Sequence, residues 1–306
     1  MSERPDLSHF VQHRQLDSYE QGMARRSYAY GVDLRRSRWL ASSTVGNALV
    51  RAVDRAWPRL SAHLMEEALL EGDRVPVPLL REISEAMEIL RAPLPTLRVL
   101  RPEQRGRWPV VTALGATQGG SLWLVLDIEA LLALSKTQRA FLFATGLAHL
   151  HCEHAVFFSA HLLASRREGR LGMQGVRTLL KPWTKVMSFS ADRAGLLCCD
   201  RLETAAELIA NPPVPVGAGS SDSRDWLPVR ASTELRLRAL REFARSSVYA
   251  KVHAVRARQA ELLRQASGPD SGPGSEPDPE ASIHVPADAW SLARVDTRLT
   301  RRLGLL

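Results

Sequence analysis

The feature that most constrains the fold is the run SKTQRAFLFATGLAHLHCEHAVFFSAHLLAS at residues 135–165, which is long, mostly apolar and free of proline. Ser135 and Gln138 have the spacing of a capping box, which predicts a helix that begins there and continues for about 28 residues. Its histidines and Glu153 argue against a membrane span. The part TGLAHLHCEH, residues 145–154, concentrates side chains that can bind metals, so the helix is also the first place to look for a functional site.

Composition favours a globular protein without a nucleic-acid partner. The 306 residues are 45% hydrophobic and 24% charged, enough to bury a sizeable core. The formal net charge is +8, but only four of the 41 basic residues are lysine, and the arginines are spread along the chain among acidic residues. Because no basic face with stacking aromatic residues stands out, we expect no binding to nucleic acid.

The sequence also predicts a cytoplasmic protein that does not bind membranes. The stretch MSERPDLSHFVQHRQLD at the start has no apolar signal-peptide core, and no later apolar run is long enough to cross a bilayer. The cysteines, Cys152, Cys198 and Cys199, are odd in number, which favours reduced and buried thiols over disulfides.

Changes in hydrophobic period predict an α+β, mostly helical fold. Between two helical blocks, the segments TLRVLR, PVVTALGA and SLWLVLD alternate with a period of two, which indicates a small sheet of about three strands. We divide the chain into a polar, Arg-rich segment at 1–41, a domain at 42–266, a disordered linker at 267–280 and a tail at 281–306. The tail ends in a short amphipathic pattern that can dock on this chain or on another.

Three segments in this order resemble a known family. PRLSAHLMEEA precedes the sheet, SLWLVLDIEALLAL leads into the apolar helix, and SFSADRAGLL lies in the helix that follows. They are similar to the zinc metallopeptidase family of the heat-shock protease HtpX and the CAAX prenyl protease, over roughly residues 43–253. The resemblance implies a zincin-like fold. In that family an HExxH helix and a glutamate on a second helix bind zinc, and the HExxH glutamate removes a proton from the bound water.

The same resemblance implies that the catalytic centre is degenerate. Thr145 stands at the first histidine of HExxH, Gly146 at the general base and His149 at the second histidine. On the second helix Ser188 replaces the zinc-binding glutamate, and Asp192 matches the aspartate of ADRAGLL. We therefore expect no zinc cofactor and a pseudopeptidase that binds a protein or peptide partner along the edge strand. The predicted peptide-binding residues are Val111, Thr112, Ala113, Leu114, Gly115, His149 and His154.

Two other functions stay open. On a continuous helix Glu153 lies about 40° from His149 and one turn further on, so the two residues and Asp192 could form a displaced zinc site in an active metalloendopeptidase. On the same helix His154 would face away from His149. The other alternative is a structural subunit of a larger assembly.

Overall fold

The computed structural model describes residues 26–117, 122–167, 169–213, 227–266 and 285–305. The predicted α+β, mostly helical class is confirmed. Among the described residues no helix combines the length and the apolar character that a membrane crossing needs. In chain order the helices are α1 (Gly31–Ser42), α2 (Thr44–Glu67), α3 (Val77–Leu90), α4 (Ile128–Leu132), α5 (Lys136–His151), α6 (Ala155–Arg167), α7 (Gly169–Cys199), α8 (Leu202–Ala210), α9 (Thr233–Phe243), α10 (Ser247–Ala266) and α11 (Leu292–Arg302).

The sheet has four strands rather than the predicted three: β1 (Leu69–Glu71), β2 (Thr96–Leu100), β3 (Val111–Leu114) and β4 (Trp123–Leu126). Their order is β1-β2-β4-β3, so β3 lies at one edge. β2 and β4 are parallel, and the other two pairs are antiparallel. The three predicted segments became β2, β3 and β4, whereas β1 has too few residues to show an alternating pattern.

Helix α5 packs against the sheet and against α7, and two glycines permit the close approach. A Cβ atom at Gly146 would lie 2.6 Å from Val111 Cγ1 and 2.7 Å from Leu124 Cδ1. A Cβ atom at Gly195 of α7 would lie 2.5 Å from the ring of Phe141. Because real Cβ atoms do not approach other atoms so closely, a larger residue at either position would force the contacting side chains or the layers themselves to shift.

The prediction of one continuous helix from Ser135 is wrong, because α5 ends at His151. Glu153 has a φ of 63°, in the left-handed region. The His154 N–H donates to the His149 carbonyl at 2.7 Å, and the Glu153 N–H donates to the Leu150 carbonyl at 3.1 Å. These are the two hydrogen bonds of a Schellman motif, which usually has glycine at the left-handed position. Since this chain has glutamate there, the sequence contains no visible helix breaker.

The predicted boundary between residues 41 and 42 does not separate two structural units. Residues 1–25 lie outside the described part, but Tyr28, Tyr30, Asp33 and Leu34 are all buried in the core. The Tyr30 N–H donates to the hydroxyl of Ser190 on α7 at 3.0 Å. Helix α1 therefore belongs to the domain that the sequence placed after it.

The C-terminal tail docks on this chain through α11. Val295 and Leu299 are buried, and Asp296 accepts a hydrogen bond from the Gly31 N–H at 2.9 Å. Asp296 also forms an ion pair with the buried Arg193 at 2.8 Å. The predicted linker at 267–280 lies outside the described residues.

Candidate functional site

A cavity of about 440 Å³ lies between β3, α5, α7 and α9. It brings together most of the residues that the resemblance selected, from three separate parts of the chain. These are Val111, Ala113, Thr145, Gly146, His149, Ser188 and Asp192. The cavity also has an apolar wall and a cationic wall that the sequence did not indicate. Their members include Phe141, Met187, Leu208, Arg177, Arg230 and Arg236.

Thr145 and Gly146 cannot replace the histidine and glutamate whose positions they hold in the resemblance. The Thr145 hydroxyl donates to the Leu142 carbonyl of its own helix at 2.8 Å. Gly146 is held against the sheet so closely that even a Cβ atom would meet Val111 and Leu124. A glutamate at this position would therefore require Val111 and Leu124, or the helix itself, to shift.

The facing helix α7 is equally poor in ligands for a metal. The Ser188 hydroxyl donates to the Lys185 carbonyl of its own helix at 2.6 Å. Both carboxylate oxygens of Asp192 accept hydrogen bonds from Arg236, at 2.6 and 2.9 Å, and both partners are largely buried. A carboxylate held in such a bidentate pair is not available to a cation. The residues at the four positions implied by the family, Thr145, Gly146, His149 and Ser188, do not fit a catalytic zinc.

His149 and His154, here called the histidine pair, are in contact, which contradicts the prediction that they face apart. Their Nδ1 atoms are 3.1 Å from each other, so one ring donates and the other accepts according to the tautomer. The His149 ring also packs edge-on against Phe158. Burial, together with the charges of His154, Arg230 and Arg236, lowers the pKa of His149 well below its ordinary value. His149 therefore presents a neutral imidazole to the cavity.

The displaced zinc site predicted from His149, Glu153 and Asp192 is not formed. The left-handed turn at Glu153 carries its side chain to the surface, where it pairs with Arg26 at 2.8 Å. Asp192 is engaged by Arg236. The helical angle of about 40° between His149 and Glu153 does not apply, because α5 has already ended.

Among the described residues that line the cavity, Arg177, Arg230 and Arg236 outnumber the acidic Asp192. Arg236 is matched by Asp192, whereas Arg230 has no ion-pair partner among the described residues. Arg230 is exposed to solvent on one side, but the surrounding protein and the charge of Arg236 lower its pKa to about 10, so it stays charged at neutral pH. No motif marks Arg230 or Arg236 in the sequence, because only the packing of α9 and the preceding segment brings them to α7.

The edge strand β3 has main-chain groups beside the cavity that lack a hydrogen-bond partner in the described part of the chain. The Asp127 N–H donates to the Val110 carbonyl at 2.9 Å, and the register pairs Val111 with Leu126. Because hydrogen-bonded and non-hydrogen-bonded pairs alternate in an antiparallel ladder, the N–H and C=O groups of Val111 and Ala113 point away from β4. Within the described part of the chain these groups have no hydrogen-bond partner.

The other predicted peptide-binding residues are less available. By the same alternation the main-chain groups of Thr112 and Leu114 point toward β4. The Gly115 N–H donates to the Ser159 hydroxyl at 3.0 Å, and the same hydroxyl donates to the Gly115 carbonyl at 2.8 Å. Helix α6 thus closes the edge at Gly115, whereas Val111 and Ala113 keep main-chain groups without a described partner, in residues that are half-buried and 1% exposed respectively.

A second cluster lies on the buried side of the histidine pair. One ligand atom each from Asp33, Cys152 and His154 lies within 4.8 Å of the other two, and all three residues are buried. An aspartate, a cysteine and a histidine in this arrangement could hold a metal ion. Neither Asp33 nor Cys152 was predicted from the sequence to belong to a site. Burial raises the pKa of the Cys152 thiol, which makes it a poor nucleophile as it stands.

Comparisons of the chain with protein-family models, with curated proteins and with solved structures find no match.

Proposed function

We propose that the protein binds an extended polypeptide segment in the cavity and does not cleave it. The observation that carries the proposal is the main chain of Val111 and Ala113, which has no described hydrogen-bond partner and borders a cavity of about 440 Å³. An extended segment can add to such an edge as a further strand, because main-chain hydrogen bonds need no particular sequence. Side chains of the bound segment would then alternate between the cavity and the solvent.

The charges of the cavity favour a segment with an acidic side chain. Arg230 is a cation without an ion-pair partner in the described structure, and Asp192 is already neutralised by Arg236. A carboxylate that entered beside Arg230 would gain a charge-assisted hydrogen bond. The apolar residues Phe141, Met187 and Leu208 provide contacts for an aliphatic or aromatic neighbour in the segment.

The absence of cleavage follows from the side chains that replace the catalytic ones. Under this proposal the protein has a zincin-like fold that works as a binding or regulatory module without a zinc ion in its cleft. Hydrolysis would need a base to activate water, but Gly146 has no side chain and the hydroxyls of Thr145 and Ser188 bond to their own helices. A cytoplasmic location is part of the proposal, and it agrees with the three unpaired cysteines.

The test is binding of a permanently unfolded, acidic polypeptide, reduced and carboxymethylated α-lactalbumin, measured by fluorescence anisotropy with its intact mass recorded afterwards. We expect reversible binding and no loss of mass. Ala113→Pro removes an outward N–H from the edge and should weaken binding at least about tenfold. Arg230→Glu should weaken it by a similar factor, whereas Arg59→Glu, an exposed arginine of α2, provides the matched control.

Two outcomes would contradict the proposal. One is metal-dependent cleavage of the probe that disappears in His149→Ala, which would restore the alternative of an active metalloendopeptidase. The other is a stable complex with another protein that neither cavity variant affects, which would favour a structural subunit. Thermal unfolding of each variant ensures that a loss of binding does not simply reflect a loss of the fold.

A further inference from the structure

The buried cluster of Asp33, Cys152 and His154 is built from parts of the chain that only the tertiary structure brings together. Asp33 lies on α1, whereas Cys152 and His154 flank the left-handed Glu153 at the end of α5. The exposed fractions of Asp33, Cys152 and His154 are 2%, 1% and 0%, so none of the three is a surface group that happens to lie near others. This cluster shares no residue with the displaced zinc site predicted from the sequence.

His154 and Asp33 lie close together but do not form an aligned hydrogen bond. His154 Nε2 is 3.1 Å from Asp33 Oδ2, yet the two groups are not aligned, and this nitrogen has no hydrogen-bond partner among the described residues. A buried ring nitrogen without a partner is costly. An ion between the two atoms would remove this cost. Tetrahedral zinc with ligand bonds of about 2.0 Å places neighbouring ligand atoms about 3.3 Å apart, close to the separation found here.

Two of the three side chains, Asp33 and His154, also have an outer partner of the kind that orients metal ligands. Ser190 donates a hydrogen bond to Asp33, whereas the Tyr28 hydroxyl near Cys152 has its hydrogen-bond contact with His151 Nδ1 at 3.0 Å. The other ring nitrogen of His154, Nδ1, contacts His149 at 3.1 Å. Histidine ligands in metal sites nearly always use their second nitrogen in this way.

The charges of the cluster also suit a divalent cation. A carboxylate, a thiolate and a neutral imidazole carry two negative charges in total, so a divalent ion makes the buried group neutral. When the ion binds, the Cys152 sulfur forms a bond to it and releases its proton to solvent. A neutral complex avoids the penalty of an isolated charge in the core.

We propose that Asp33, Cys152 and His154 bind one divalent transition-metal ion in a structural site that holds α1 against the end of α5. The ion is zinc, because zinc prefers carboxylate, thiolate and imidazole ligands. With His154 Nε2 bound to the metal, His154 Nδ1 carries the ring proton and donates a hydrogen bond to His149 Nδ1. His149 then bears its own proton on Nε2 and acts as a hydrogen-bond donor on the cavity side. The metal proposal does not depend on peptide binding, and each can fail alone.

The test uses the full-length protein expressed with added zinc and analysed for metal content after dialysis, followed by replacement of the metal with Co²⁺ through chelation and refolding. We expect about one zinc ion per chain and a cobalt spectrum with a thiolate charge-transfer band. Cys152→Ser should abolish the band and lower metal affinity at least about tenfold. Cys198→Ser, another buried thiol, provides the matched control and should leave both unchanged.

Three further results would distinguish metal binding by these three ligands from binding elsewhere, from no binding and from a general effect on folding. Glu153→Gln should keep the metal, and its loss in that variant would contradict the proposed ligand set. A wild-type protein that binds neither zinc nor cobalt, while its circular dichroism is that of a folded helical protein, would overturn the proposal. Equal losses in Cys152→Ser and Cys198→Ser would overturn it as well, because they would indicate a general effect on folding.

Discussion

Two serines of α7, on opposite sides of the histidine pair, have hydrogen-bond partners of different kinds. On the cavity side the Ser188 hydroxyl donates to the Lys185 carbonyl of its own helix. On the buried side, two residues later in α7, Ser190 accepts from the Tyr30 N–H and donates to Asp33. A hydroxyl bonded within its own helix makes no link between elements, whereas a buried carboxylate requires a donor from elsewhere in the fold. We therefore expect the buried side to stabilise the fold, whereas the cavity side is the one for which partner binding is proposed.

The largest expected effect tests this difference with two serines on one helix. Ser190→Ala leaves a buried N–H of Tyr30 without its acceptor and Asp33 without its donor, so it should lower the free energy of unfolding by about 2 kcal/mol. Ser188→Ala removes a bond within one helix and should change the free energy by less than about 0.5 kcal/mol. Urea unfolding with EDTA present measures both without a contribution from metal. Equal losses of unfolding free energy in Ser190→Ala and Ser188→Ala would contradict the expected difference between the buried side and the cavity side.

A second comparison uses glycines in two different surroundings. Gly146→Ala places a methyl group 2.6 Å from Val111 Cγ1 and should destabilise the protein by about 2 kcal/mol. Gly175→Ala on α7, where a Cβ atom meets nothing within 4 Å, should stabilise the helix by about 0.5 kcal/mol. Thermal or urea unfolding of the two variants gives the sign of each effect. A neutral Gly146→Ala would show that the Val111 and Leu124 side chains, or α5 itself, can shift enough to admit a larger residue.

The smallest expected effect concerns the pH dependence of stability. Burial, and then the charge of Arg177, lowers the pKa of His161 to about 4, and its ring nitrogens have no partner among the described residues. Since an unfolded histidine titrates near pH 6.5, the unfolded state binds the proton first, and stability falls as the pH drops from about 6.5 to about 4. His161→Leu should reduce the loss between pH 7 and pH 6 by about 0.7 kcal/mol. An unchanged loss in urea titrations at the two pH values would contradict this burial of a neutral ring.

Some of the residues that the sequence selected lie close together in the fold. The positions selected by the resemblance, including Thr145, His149 and Asp192, lie around one cavity, because the regular geometry of two long helices carries residue spacing directly into space. The cations Arg230 and Arg236 were missed because nothing in their local sequence shows which helix they meet. The metal-ligand candidate Asp33 was missed because its neighbours are far away along the chain, in the turn that follows α5.

What the sequence determined by itself was local. The capping box of Ser135 and Gln138 set the start of α5, and the change of hydrophobic period located three of the four strands, because both depend on residues close together in the chain. The tertiary structure decided where α5 ends, because Glu153 adopts a left-handed conformation that its sequence does not favour and that the surrounding packing must hold in place. That turn brings His154 to both His149 and Asp33, so the cavity and the buried cluster both depend on contacts that no local pattern encodes.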